Sequence, residues 1–140
     1  PVGRRADAVV ALAGAALIAL GAATAPPAPD EEQFPVAALV ALPPGPGLFN
    51  HYDWGGWLIW NAPGTPVFID GRLTPYLGPT LDDYRRVIAA GPGWREVLER
   101  RGVRALLVRP GDPVAVRAID LGWPVLVGGD DFVLIEVGRP

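Results

Sequence analysis

Two short polar clusters in this chain hold residue types suited to recognising a ligand: Asn50-His51-Tyr52-Asp53-Trp54-Gly55-Gly56 and Asp70-Gly71-Arg72. A carboxamide, two carboxylates, a guanidinium and two aromatic rings can hydrogen-bond, ion-pair and stack against a polar substrate. Asn50, Tyr52, Asp53, Trp54, Asp70 and Arg72 are therefore the candidate substrate-binding residues. None is given a catalytic role. His51 is the only histidine, so a Ser/His arrangement or a His-based metal site would rest on one residue, and an exposed loop histidine is the simpler reading. The absence of cysteine excludes disulfides, Cys-ligated zinc and a thiol nucleophile. Asp82-Asp83 and Asp130-Asp131 are paired acids, but the first belongs to a helix start and the second to a turn. No metal and no cofactor is expected. Phosphate-loop and dinucleotide fingerprints are also missing, since Gly91-Pro92-Gly93 interrupts helices without following a strand.

These clusters need elements to hold them. Phe34 to Leu42 reads as a short helix with Pro35 at its first position, and Gly47 to Phe49 as a short strand. Asn50 with Asp53 forms a capping box for a helix over Tyr52 to Asn61, stopped by Pro63-Gly64. Val67 to Ile69 reads as a buried strand ending in the Asp-Gly-Arg turn. Thr80 with Asp83 is a second capping box, and Leu81, Tyr84, Val87 and Ile88 recur at helical spacing. A further helix runs from Trp94 to Arg101, Val103 to Val108 is an apolar strand covered on both faces, and Asp112-Pro113 opens a helix closed by Gly122. Trp123 to Val127 and Phe132 to Val137 flank Gly128-Gly129-Asp130-Asp131 as a hairpin. The class is α/β, three-layer, with a mostly parallel sheet and a C-terminal antiparallel hairpin at its edge. In such sheets ligands gather beyond the carboxyl ends of strands, which predicts that the two clusters are neighbours. Asp53 then lies in a first helical turn, where the dipole favours a carboxylate. Gly55 and Gly56 each cost a helix about 1 kcal/mol relative to Ala, so something must compensate. A plainer account packs Trp54 and Trp57 tightly on the sheet and pairs Asp53 with Arg72.

Composition bounds the whole. Of 140 residues, 50% are hydrophobic and 19% charged, which fits one compact domain plus one lipid-soluble stretch. A net charge of −3 gives no attraction for nucleic acid, which is not expected as a partner. Methionine is absent, so the chain reads as a piece of a longer protein. From Ala8 to Ala25 there is no charge, over about the minimum length that spans a bilayer. Arg4 and Arg5 precede it and keep that end cytoplasmic, which exports the rest of the chain. A cleaved signal peptide, suggested by Ala23-Thr24-Ala25, and an Ala-rich buried helix are the alternatives. The expected organisation is a transmembrane helix with its arginine flank over 1–25, a Pro-rich linker over 26–33, and an extracytoplasmic α/β domain over 34–140.

The run Phe49-Asn50-His51-Tyr52-Asp53-Trp54-Gly55-Gly56-Trp57-Leu58-Ile59-Trp60, followed by Pro66-Val67-Phe68-Ile69-Asp70-Gly71-Arg72 and Tyr76, resembles a known pattern. It is similar to the extracytoplasmic carboxy-terminal domain of bacterial multi-spanning membrane proteins of the GT-C glycosyltransferase type. Those carry a last membrane helix, then text close to N-x-Y-x-W-G-G-Y-L-I-W and V-F-I-D-G-R. More distantly, it is similar to the catalytic subunit of oligosaccharyltransferases, where a Trp-Trp-Asp-Tyr-Gly element opens a helix and recognises the acceptor. Here Tyr52-Asp53-Trp54-Gly55 stands in the comparable place in a different order, so sequon specificity does not carry over. The resemblance implies a cell-membrane protein that uses a polyprenyl-phosphate-linked sugar and a glycan or protein acceptor, with membrane lipid around it. In that family the acidic metal-binding residues lie in membrane loops, so this segment alone would be inactive. The alternative is a binding or structural module without transferase chemistry.

Overall fold

A computed structural model describes residues 34–138. The chain divides into two units, Pro1–Asp30 and Glu31–Pro140, and every described residue lies in the second. The expected transmembrane helix and Pro-rich linker fall outside the described residues. Among those described, no helix is long and apolar enough to cross a membrane.

The unit is mixed α/β. Its four-stranded sheet has the order β1-β2-β4-β3, where β1 is Leu48–Asn50, β2 is Ala105–Val108, β3 is Val125–Gly128 and β4 is Val133–Glu136. Four α-helices are described: α1 Gly55–Asn61, α2 Pro79–Ile88, α3 Trp94–Arg100 and α4 Pro113–Asp120. Short 3-10 turns cover Val36–Ala41, Tyr52–Trp54 and Thr74–Tyr76. β2 is the unbroken apolar run Ala105-Leu106-Leu107-Val108, buried at all four positions because both faces of the sheet are covered. On one face Phe49, Leu106, Val108 and Ile135 meet α2, α3 and α4 through Leu81, Val87, Val97, Leu98, Val114 and Ala118. On the other, Leu48, Ala105, Leu107 and Leu134 meet Ala38, Trp54 and Leu58 from the 3-10 turns and α1. Three layers result.

The sheet is not mostly parallel. Only β1 and β2 run parallel; β2–β4 and β4–β3 are antiparallel. Both β2 and β3 run antiparallel to β4, so they share a direction and α4 is the crossover that joins them. The second strand of the hairpin then folds into the gap between them instead of extending the edge. Val133, Leu134 and Ile135 supply apolar side chains to both faces and suit an interior strand. β3, half exposed, flanked by Pro124 and ending in Gly128, suits an edge. A register shift between Val125 and Val127 blunts that edge.

A second correction concerns Val67 to Ile69, which forms no strand. It lies beside β1 and is held by one side chain. The Asn50 carboxamide oxygen accepts from the Phe68 N–H at 2.8 Å and the Ile69 N–H at 3.4 Å, and its NH2 donates to the Ile69 carbonyl at 2.8 Å. A buried amide thus replaces the ladder that a fifth strand would make.

The capping boxes also differ from expectation. Asn50 ends β1, so it caps nothing; His51 takes that place, with Nδ1 accepting from the Asp53 N–H at 3.3 Å. Gly78 precedes α2 with Pro79 at the first turn, while Asp83 is drawn inward by Arg100 and Arg101 of the next helix and its C-cap. Arg104 gathers the proline loop, its guanidinium donating to the carbonyls of Pro44 at 2.6 Å and Pro46 at 2.7 Å.

Candidate functional site

The carboxyl ends of parallel β1 and β2 set the site. β1 ends at Asn50 and passes straight into the Tyr52–Trp54 turn; β2 ends at Val108, and Arg109 follows. The His51 N–H donates to the Leu107 carbonyl at 2.8 Å, which carries the strand pairing one residue further and locks the start of the turn. The Tyr52 N–H donates to the Tyr84 hydroxyl of α2 at 3.0 Å. Burial pushes the Tyr84 phenol up to about 12, so it stays protonated at neutral pH.

The two sequence clusters meet. The Tyr52 hydroxyl donates to the Gly71 carbonyl at 3.1 Å. Gly55 lies so close to the second turn that a Cβ there would strike the Ile69 carbonyl and stand 2.6 Å from the Asp70 Cα. Its missing side chain is what lets the turns touch. Gly56 has open space around it.

Asp53 does not pair with Arg72. Its Oδ2 accepts from Arg109 Nη2 at 2.8 Å, and both side chains are about half exposed. The Asp112 carboxylate accepts from the Arg109 N–H at 2.9 Å and fixes the loop that presents the guanidinium. Arg109 also lies 6.0 Å over the Trp54 ring, at the outer limit of a cation–π contact. His51 Nδ1 approaches Asp53 at 3.6 Å. Burial lowers the imidazole pKa, Arg109 adds to that, and Asp112 and Asp53 oppose it. The ring is therefore neutral at pH 7, and with Nδ1 accepting from a backbone N–H its proton sits on Nε2.

Arg72 instead pairs with Asp70, through Nη2 to Oδ2 at 2.7 Å and Nε to Oδ1 at 3.0 Å. The Tyr76 hydroxyl at 2.7 Å and the Arg72 N–H at 2.9 Å complete the donors around this carboxylate. Those Arg72 bonds hold Asp70 far below the usual carboxylate range despite its burial. Burial, with the Asp70 hydrogen bond, raises Tyr76.

The six candidates thus separate into two groups. Asn50, Trp54 and Asp70 are no more than 3% exposed and are engaged internally: Asn50 binds the 68–69 backbone, Trp54 packs in the core and Asp70 holds its own turn. They shape the site. Asp53, Arg72 and the half-buried Tyr52 face outward, joined by Arg109, which reading the sequence missed. Arg109 directly follows the apolar run 103–108, so the strand-end criterion that marked the other clusters also pointed to it. The exposed set offers one carboxylate, two guanidinium groups and a phenol ring, suited to gripping hydroxyl or anionic groups of a ligand.

Among the described residues no three His, Asp or Glu side chains form a metal-holding group. A wide groove of about 1030 Å³ lies at the other end of β2, bounded by Arg95, Glu99, Arg104, Trp123 and Glu136. It shares no residue with the two turns, and Arg104 is already committed to the proline loop. Compared with known proteins, the chain matches no protein family, no curated protein and no solved structure.

Proposed function

We propose that this chain is the extracytoplasmic carboxy-terminal part of a GT-C-like membrane glycosyltransferase that uses a polyprenyl-phosphate-linked sugar, and that the paired turns help bind acceptor or substrate. The single observation that supports it is the contact between the Tyr-Asp-Trp-Gly and Asp-Gly-Arg turns at a strand's carboxyl end. Their exposed rim of Asp53, Arg109 and Arg72 is the chemistry such a role needs: a carboxylate for sugar or acceptor hydroxyls, guanidinium groups for phosphate. Asn50, Trp54 and Asp70 serve by fixing the backbone from which that rim projects.

The internal engagement of those same three residues favours a second reading, a structural or binding module of a membrane protein. Transfer assays on the full-length protein in membranes separate the two. Asp53→Asn and Arg109→Gln change exposed groups only, so the fold survives. Each variant should lose roughly tenfold in transfer, the worth of one charge-assisted hydrogen bond of about 1.5 kcal/mol. Full transfer by both variants, with unchanged near-UV circular dichroism, would leave only the module reading.

A further inference from the structure

The layer that covers the Leu48–Leu107–Leu134 face of the sheet is almost without charge. Between Gln33 and Asp70 the only residue charged at neutral pH is Asp53, whereas 70–138 holds nine arginines and ten acids. The opposite layer answers water with charge: Asp82, Arg85 and Arg86 on α2, Arg95, Glu96 and Glu99 on α3, and Arg117 and Asp120 on α4 are all exposed, and the half-exposed Val116, Ile119 and Leu121 at the end of α4 are interleaved with the last two. On the uncharged layer the large exposed apolar residues are Val40 at 93%, Trp60 at 86%, and Val36 and Ile59 at about 40%. Ala38, Trp54 and Leu58 of the same layer point inward, so these four side chains are not reserves of the core. Phe34 stacks on Trp57 at 5.3 Å and joins the 3-10 turn to α1 across the layer.

A protein-binding face would carry a polar rim with arginine as well as aromatic anchors. A tryptophan among uncharged aliphatic residues instead matches the headgroup zone of a bilayer, where an indole ring has both apolar contact and a polar edge. In sequence, the chain enters this layer at Phe34, with eight residues separating it from the uncharged stretch 8–25. We propose that the outer side of this layer rests on the lipid surface, with Trp60, Ile59, Val40 and Val36 set among the headgroups. That leaves the charged helices α2, α3 and α4 facing water. The inference rests on the membrane placement above but not on transferase chemistry.

The lack of cysteine makes the test direct. Val40→Cys and Ile59→Cys, with Arg117→Cys on the opposite layer as control, each give the full chain one site for an environment-sensitive fluorophore. On phosphatidylcholine–phosphatidylglycerol vesicles, labels at 40 and 59 should lose iodide quenching and gain quenching by doxyl-labelled lipid. The label at 117 should stay open to iodide, and adding Trp60→Glu should restore iodide access at 40. Equal iodide quenching at all three positions in vesicle-bound chain would overturn the proposal. Protection from iodide without doxyl quenching would give the face to protein, a second copy included, and would overturn it as well. Transfer activity lost in Asp53→Asn with these labels unchanged bears on the function alone.

Discussion

Asn50 shows how much one side chain can decide. Its carboxamide has both a donor and an acceptor, and it uses both on the backbone of 68–69. An aspartate of the same shape would lose the donor and bring a charge into a fully buried site. Asn50 therefore matters through the position it gives Ile69 and Asp70, and not through contact with a ligand. Gly55 and Gly56 stand side by side at the start of α1 and look equivalent in the sequence. Gly55→Ala must push a Cβ into the Ile69 carbonyl and Asp70, backbone that cannot yield cheaply, and should destabilise by about 2 kcal/mol. Gly56→Ala meets nothing and should stabilise by about 0.5 kcal/mol through helix propensity. Urea midpoints of the two variants moving in opposite directions would bear this out, and the same direction would refute it. The helical cost of the glycine pair is thus explained at one position only.

Elements are tied together by a few polar anchors whose cost is uneven. Asp83 of α2 accepts from Arg100 at 2.7 Å and Arg101 at 2.8 Å, so one buried carboxylate joins α2 to the end of α3. Burial alone would raise its pKa, yet the two guanidinium hydrogen bonds outweigh that and hold the carboxyl below its usual range. The two ways of breaking the link are not equivalent. Asp83→Ala leaves two arginines that can turn to water, whereas Arg100→Ala with Arg101→Ala leaves a buried charge unpaired. The double arginine variant should lose about 2 kcal/mol, more than Asp83→Ala, as read from denaturant midpoints. An equal or larger loss in Asp83→Ala would mean that the aspartate's packing, and not its charge, joins the helices. The hairpin carries a similar lesson: its more apolar strand, β4, takes the interior and leaves β3 at the edge.

Together, these ionisations give the described unit a pH profile. Asp70 and Asp83 have folded pKa values below that of an unfolded aspartate, about 3.9, so their stabilisation is complete above that pH. It is lost as pH falls through their folded values. His51 is also lowered in the fold, from an unfolded value near 6.5, so it too favours folding only while neutral. Stability should decline in two stages as pH falls, gently below about 6.5 and more steeply below about 4. His51→Gln should flatten the first stage and Asp83→Asn should reduce the second, measured as urea midpoint against pH. A single decline below about pH 4, unchanged in His51→Gln, would remove the histidine from the account.

Much of this was legible in the residues themselves. The apolar run Ala105–Val108, the Asp112-Pro113 start and Gly122 end of α4, and the Gly128–Asp131 turn of the hairpin are local patterns, because turn chemistry and hydrophobic period act over a few residues. The nearness of the two polar clusters was expected from placing both at strand ends; they do meet, but only the first follows a strand, and the second is brought beside it by the Asn50 carboxamide. Strand order, in contrast, is a competition between β3 and β4 for the interior, settled only when every strand is present. Likewise, whether Val67 to Ile69 pairs with a strand or with an asparagine depends on a contact 18 residues away. The partner of Asp53 was beyond local reading for the same reason: Arg109 arrives from 56 residues further along the chain, whereas Asp70 pairs with Arg72 only two residues away. Local sequence sets which groups can ionise, cap or pack; only the tertiary fold selects which of them meet, because charge pairing is decided by distance in space.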